Sequence, residues 1–267
     1  MKRFLKRYGG FTKCAMEEKL AYRKGFLMSA LFQLVGILVS VFLWKVLFEE
    51  QSTIQGYDWN QMILYALIVA LLNATLSFGT EMDLAAGILD GSIASDLTKP
   101  VDFQVMSFFR ALGQSVVEAG ISVILTVLLA VVLTDVSGYL KPFSLLLFIV
   151  SMLLAFLLKF CLAYLGGLMC FYTSNGYGVV YLRQVITDVF SGALLPLSFF
   201  PAWFQRLAGF LPFQASVYLP TQIFLGRIEG VGAVQILAQQ AIWVIVMWTI
   251  SSVFFRFALR KVTIQGG

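Results

Sequence analysis

FLMSALFQLVGILVSVFLWKVLF, residues Phe26 to Phe48, is the stretch on which the fold turns, because it carries a single charge, Lys45. At 1.5 Å per residue a helix of that length reaches about 34 Å, enough to cross the roughly 30 Å hydrocarbon core of a bilayer. A helix closes its own backbone hydrogen bonds and so tolerates a solvent that offers none. Lys45 lies near one end, where its long stem can carry the ammonium out to water. The segment is therefore predicted to span a membrane.

The residues on either side give it a direction. Eight of the 19 basic residues of the chain lie in its first 24 positions, while the far end meets Glu49, Glu50 and Asp58. Basic flanks stay on the cytoplasmic side. Within residues 1–24, Phe4, Tyr8, Phe11 and Ala15 recur at helical spacing, and Lys2, Arg3, Lys6, Arg7, Lys13 and Lys19 fill the remainder. That pattern predicts an amphipathic helix in the cytoplasmic interface, and it does not read as a cleavable signal peptide.

The same reading extends through the chain. Of 267 residues, 60% are hydrophobic and 12% charged, against about 25% charged in ordinary soluble domains. Further apolar runs are predicted at Met62 to Phe78, Val105 to Leu133, Pro142 to Cys170, Val179 to Leu197 and Val231 to Phe255. Pro142 suits a first helical turn, and Asn175 and Gly176 mark a tight turn. The longest polar stretch, 81–110, reads as a cytoplasmic loop. Between the fifth and sixth runs, residues 196–230 stay apolar but carry Pro196, Pro201, Pro212 and Pro220. Prolines so placed break any crossing helix and predict short helices folded back into the outer interface. The expected fold is an all-α membrane protein: an interfacial helix at 1–24, six transmembrane helices within 25–256, and a tail at 257–267. Both termini are expected to be cytoplasmic at the cell membrane.

Composition also excludes chemistry. The chain has no histidine, so neither a Ser-His-Asp triad nor a histidine zinc site can be built from it. No G-x-x-x-x-G-K-[ST] loop is present to hold nucleotide phosphates. Cys14, Cys161 and Cys170 show no paired spacing, and no metal site is expected. The net charge of +5 is a topology signal rather than a nucleic-acid footprint, since so much of it is concentrated at the N-terminus.

Intramembrane polar groups are the remaining candidates, because a charge at the bilayer centre costs at least about 2.5–3.5 kcal/mol. Glu118, Lys159 and Asp188 fall in the inner halves of their runs. They either line a substrate or proton path or form a buried pair, Lys159 with Glu118 or Asp188; one base and two acids at similar depth favour pairing. In the last run Gln235, Gln239 and Gln240 are placed for interhelical hydrogen bonds.

Two tracts carry a family resemblance: LAAGILDGSIASDLTKPVDF, Leu84 to Phe103, and LPLSFFPAWFQRLAGFLPFQASVYLPTQIFLG, Leu195 to Gly226. With the amphipathic N-terminus and six runs, they resemble the type-2 ABC exporter permeases over nearly the whole chain. The resemblance implies a permease that moves an amphipathic or hydrophobic substrate outward by alternating access. It is not itself an enzyme and binds no cofactor. A separate ATP-binding cassette subunit would hold ATP and Mg, and a second permease, identical or related, would complete the path. The coupling segment implied on this chain contains Gly87, Ile88, Asp90, Ile93, Asp96, Leu97 and Pro100. Ile88, Ile93 and Leu97 would face the partner, with Asp90, Asp96 and Asp102 setting register. The importer signature Glu-Ala-Ala-x3-Gly is not reproduced around Glu81, Ala85, Ala86 and Gly87. An ion-coupled transporter using Glu118 and Asp188, and a membrane scaffold or immunity protein, are the competing readings.

Overall fold

The computed structural model describes residues 2–74, 78–139, 141–173 and 176–261. Asn175, the tail beyond residue 261 and the side chains of residues 1–7 lie outside the described residues, and with them the contacts expected of Phe4. The described chain is almost entirely helical, with one two-stranded hairpin. Helix α1 (Lys2–Ala21) leads almost directly into α2 (Arg23–Phe48). Strands β1 (Thr53–Ile54) and β2 (Tyr57–Asp58) pair antiparallel around Gln55 and Gly56, both at positive φ. Glycine supplies that conformation without a Cβ clash. Asp58 Oδ1 accepts from Gln61 N at 2.7 Å and so satisfies an open donor at the start of α3 (Trp59–Ala74).

Helices α4 (Phe78–Leu89) and α5 (Ile93–Leu97) precede α6 (Phe103–Leu133), whose Asp102 cap accepts from Val105 N at 2.8 Å. The stretch 81–110 is therefore mostly helical, with turns and bends on either side of α5. Helix α7 (Pro142–Leu168) begins on its proline and continues into a 3-10 turn. Helix α8 (Gly176–Ser191) is shorter than the run predicted from Val179 to Leu197, because Gly192 at φ +79° turns the chain out of the helix. Last comes α11 (Gly230–Ala258). Among the described residues four helices are long and apolar enough to cross a membrane: those within Leu27–Phe48, Phe103–Leu133, Pro142–Phe171 and Gly230–Ala258. The protein is thus an all-α membrane protein with shorter apolar helices between its long ones.

Residues 196–230 fold as a chain of short helices, including α9 (Ala202–Gly209) and α10 (Tyr218–Phe224). Pro196, Pro201 and Pro212 each stand just before a helical turn, and Pro220 sits in the first turn of α10. These are places where the missing N–H would have had no intrahelical partner.

The core runs the length of α7 and α11, which lie side by side. Near one end Gln240 Nε2 donates to Ala215 O at 2.7 Å and Ser151 Oγ donates to Gln240 Oε1 at 2.8 Å. Towards the other, Phe103 stacks on Phe255 at 5.0 Å and Ser252 Oγ donates to Gln104 Oε1 at 2.5 Å. α10 therefore marks one end of the molecule and α5 the other. Gln235 is exposed and Gln239 half-buried, so of the three glutamines it is the fully buried Gln240 that ties helices together.

Candidate functional site: the α5 end of the molecule

Helix α5 is only five residues long and is held by its neighbours. Arg110, on the second turn of α6, forks onto Asp96: Nη1 donates to Oδ2 at 2.5 Å and Nη2 to Oδ1 at 3.1 Å. Lys99 Nζ adds a third bond to Asp96 Oδ1 at 2.6 Å. A planar guanidinium meeting both carboxylate oxygens fixes direction as well as distance. Burial alone would raise the Asp96 carboxyl, but the hydrogen bonds and charges of Arg110 and Lys99 prevail and hold it below the usual carboxylate range. Both cations also lie 5.8 Å from the centre of the Phe11 ring on α1.

α1 follows α6 instead of lying apart from it. Tyr8 stacks on Phe109 at 5.5 Å, Thr12 Oγ1 donates to Phe109 O at 2.9 Å, and Asp102 N donates to Tyr8 Oη at 3.2 Å. Gly113 makes the approach possible, since a Cβ there would collide with the Thr12 carbonyl. At the top of this contact Lys19 Nζ meets Glu118 Oε1 at 2.6 Å, both side chains largely shielded.

The coupling segment is oriented differently from the expectation. Ile93 is 5% exposed, and Ile88 and Leu97 pack against the buried core. The apolar set expected to face a partner faces the protein's own interior. An apolar face buries against the nearest apolar surface, and here Phe103, Phe160 and Tyr164 stand across a cavity of about 220 Å³ that Ile93 also lines. The outward strip consists of Leu89, Asp90, Gly91, Ser92, Ser95, Thr98 and Pro100. The acids expected to set register make internal contacts as well. Asp90 Oδ1 accepts from Ser92 N at 2.8 Å, Asp96 binds Arg110, and Asp102 caps α6.

Beside this segment lies a buried ion pair that the sequence reading does not contain. Glu81 of α4, 1% exposed, receives Arg183 of α8: Nε donates to Oε1 at 2.7 Å, and Nη2 meets Oε2. Gly166 and Gly167 of α7 leave room for it, since a Cβ at Gly166 would strike the Glu81 carboxylate and one at Gly167 would strike Leu84. A lone arginine within the apolar run of α8 was the available signal, because such a charge needs a counter-charge.

The buried-pair expectation is corrected in its partners. Lys159 Nζ donates to Leu72 O at 2.5 Å and Asn73 Oδ1 at 3.0 Å, near the end of α3. Asp188 accepts from Gln184 Nε2 at 2.9 and 3.1 Å. Glu118 belongs to Lys19. Among the described residues no direct ion pair joins Lys159 to either acid, although Lys159 and Asp188 lie near enough to feel each other's charge. Position along one helix gives depth but not azimuth, and these three groups point to different neighbours.

The α5 end thus presents a short outward strip clamped through Asp96 to a long apolar helix and roofed by α1. Among the described residues no group of three or more His, Cys, Asp or Glu side chains could hold a metal ion. No individual curated protein is matched by the chain. The family described as ABC-2 family transporter protein matches residues 34–266, nearly the whole of the apolar region and all of the α5 segment, and the chain belongs to that family of ABC transporter membrane subunits.

Proposed function

We propose that this chain is the permease subunit of an ATP-driven exporter, crossing the cell membrane six times with both termini and α5 on the cytoplasmic side. α2, α3 with α4, α6, α7, α8 and α11 supply the crossings, and the helices from Pro196 to Gly230 fold back into the outer interface. Beneath α5 a separate ATP-binding subunit holds ATP and Mg, and a second permease completes the path for an amphipathic or hydrophobic substrate.

The observation that carries this reading is the clamp from Asp96 to Arg110. A push on a five-residue helix floating in a loop would be lost to local motion. A push on α5 arrives at α6 through a forked ion pair, and at α1 through Phe11. ATP-dependent closure of the partner then biases the packing of α6 against its neighbours between inward and outward access, which requires only that the partner bind the two arrangements with different affinity.

Ser95 is exposed, and its Oγ donates locally to Ser92 O at 2.8 Å. Ser95→Arg is expected to leave expression and melting unchanged while reducing the co-purified ATP-binding subunit at least tenfold. Gln205→Arg, on the exposed side of α9, is expected to retain it. Full retention by Ser95→Arg would reject the assignment of the docking strip.

A further inference from the structure

Between α2, α3 and α6 lies an open cleft of about 470 Å³, inside the roughly 300–1,000 Å³ range of small-molecule sites. From it we infer a binding site for an amphiphile with one slender apolar chain and a small zwitterionic head. The head would sit at Glu118, Asn73 and Gln33, and the chain would run along Gly36, Ile37 and Ala70.

Helix α2 is the first part of the argument. Its outward face is bulky and apolar, with Leu27, Phe32, Val39, Phe42 and Val46 all at least 60% exposed. Toward the cleft it instead presents Ser29, Gln33, Gly36 and Ser40, spaced as one helical face. Opposite stand Ala66, Val69, Ala70 and Ala74 of α3. Small residues let helices approach closely, yet here the helices stay apart and the space is open. An ideal Cβ at Gly36 meets nothing within 4 Å.

The two ends of the cleft differ in chemistry. Its α5-facing end gathers Gln33, Asn73 and Glu118, and the opposite wall is aliphatic. Lys19 does not itself line the cleft, but its ammonium stands 2.6 Å from the lining Glu118 carboxylate, so the two charges lie side by side at this end. Neither single-sign head fits such a pair, whereas a zwitterion matches both charges. Gln33 uses its amide nitrogen on Ser122 Oγ at 2.6 Å and Asn73 its amide oxygen on Lys159. Among the described residues the other amide atom of each has no hydrogen-bond partner and can serve a ligand. The cleft lies between helices of a membrane-crossing region, so the ligand can enter sideways from lipid.

The inference concerns binding by this chain alone and holds whether or not the bound molecule is exported. The probe is a photoactivatable lysophosphatidylcholine added to the full chain in phosphatidylcholine vesicles, with a photoactivatable fatty alcohol of equal chain length for comparison. Adducts are expected to concentrate on Ser29–Ser40 and Ala66–Ala74. Gly36→Leu, which fills the cleft, should lower both probes' adducts about tenfold with an unchanged elution profile. Glu118→Gln should lower those of the lysophospholipid at least threefold and spare the alcohol. Equal labelling of the outward residues Phe32 and Val39, or indifference to Gly36→Leu, would overturn the site. So would disulfide formation between Ser40→Cys copies without lipid adducts, which would mean that a second chain fills the cleft. An equal effect of Glu118→Gln on both probes would overturn the zwitterionic head. None of these outcomes involves the ATP-binding subunit, so failure here leaves the Ser95→Arg result standing.

Discussion

The two ends of the molecule are held by different kinds of force. At the α10 end, Leu219, Ile223, Phe224 and Leu225 are buried, Phe148 meets Phe224 edge-on at 5.1 Å, and Gln222 Nε2 donates to Tyr57 Oη at 2.9 Å. Arg227 lies over the Tyr57 ring at 3.6 Å and donates to the Gly56 carbonyl. This end is a packed core locked to the hairpin. At the α5 end, a five-residue helix buries Ile93 and packs Leu97 on the core, and is tied to α6 and α1 by one carboxylate, two cations and a ring. Apolar packing resists displacement in every direction, whereas a forked ion pair resists mainly along its own axis and leaves the strip it carries exposed. In the proposed function the α10 end stays closed while the α5 end moves as a unit with α6.

Three substitutions separate these behaviours. Ile223→Ala, at a 1% exposed position, is expected to have the largest effect, about 2–5 kcal/mol of stability, read as a lowered melting midpoint in detergent with partner binding per folded molecule unchanged. Next is Gly113→Ala, whose methyl would press on the Thr12 carbonyl. Overpacking of this kind costs about 1–3 kcal/mol, and spin-label distances should show α1 displaced from α6 while the α10 end keeps its geometry. Asp96→Asn comes last in stability, at about 1 kcal/mol or less for a partly exposed pair, yet it should uncouple ATP hydrolysis from transport more than either of the others.

Acidity sharpens the contrast at Asp96. Its folded carboxyl is held low, so its stabilising contribution is fully present above the unfolded carboxylate pKa of about 3.9 and is lost as pH falls through the folded value. The melting difference between the wild-type chain and Asp96→Asn should stay constant from about pH 6 to 8 and shrink only below about pH 4.

Several features of this architecture were legible in the sequence. Apolar length marked the four long helices, Pro142 their sharpest boundary, and the four prolines of residues 196–230 the short helices there. These are local properties, carried by hydropathy and by missing N–H groups. The direction faced by α5 was not legible, because Ile88, Ile93 and Leu97 define an apolar face without saying whether a partner or the chain's own Phe160 and Tyr164 will cover it. Lys19 with Glu118, Arg183 with Glu81 and Lys159 with Asn73 join positions 86 to 102 residues apart. Such pairings follow from how the helices rotate against one another, which periodicity leaves undetermined. The glycines that admit these contacts, Gly113, Gly166 and Gly167, were visible as letters but not as points of close approach.

The side of the membrane on which α5 lies is the most direct test of the account. In a Cys14→Ser background, which removes the exposed native thiol and keeps the buried Cys161 and Cys170, Ser95→Cys would be treated with a membrane-impermeant maleimide. The expected result is no labelling in intact cells and full labelling once the membrane is permeabilised. Labelling of the introduced thiol in intact cells would contradict the account, because no ATP-binding subunit could then reach the strip clamped by Asp96 and Arg110.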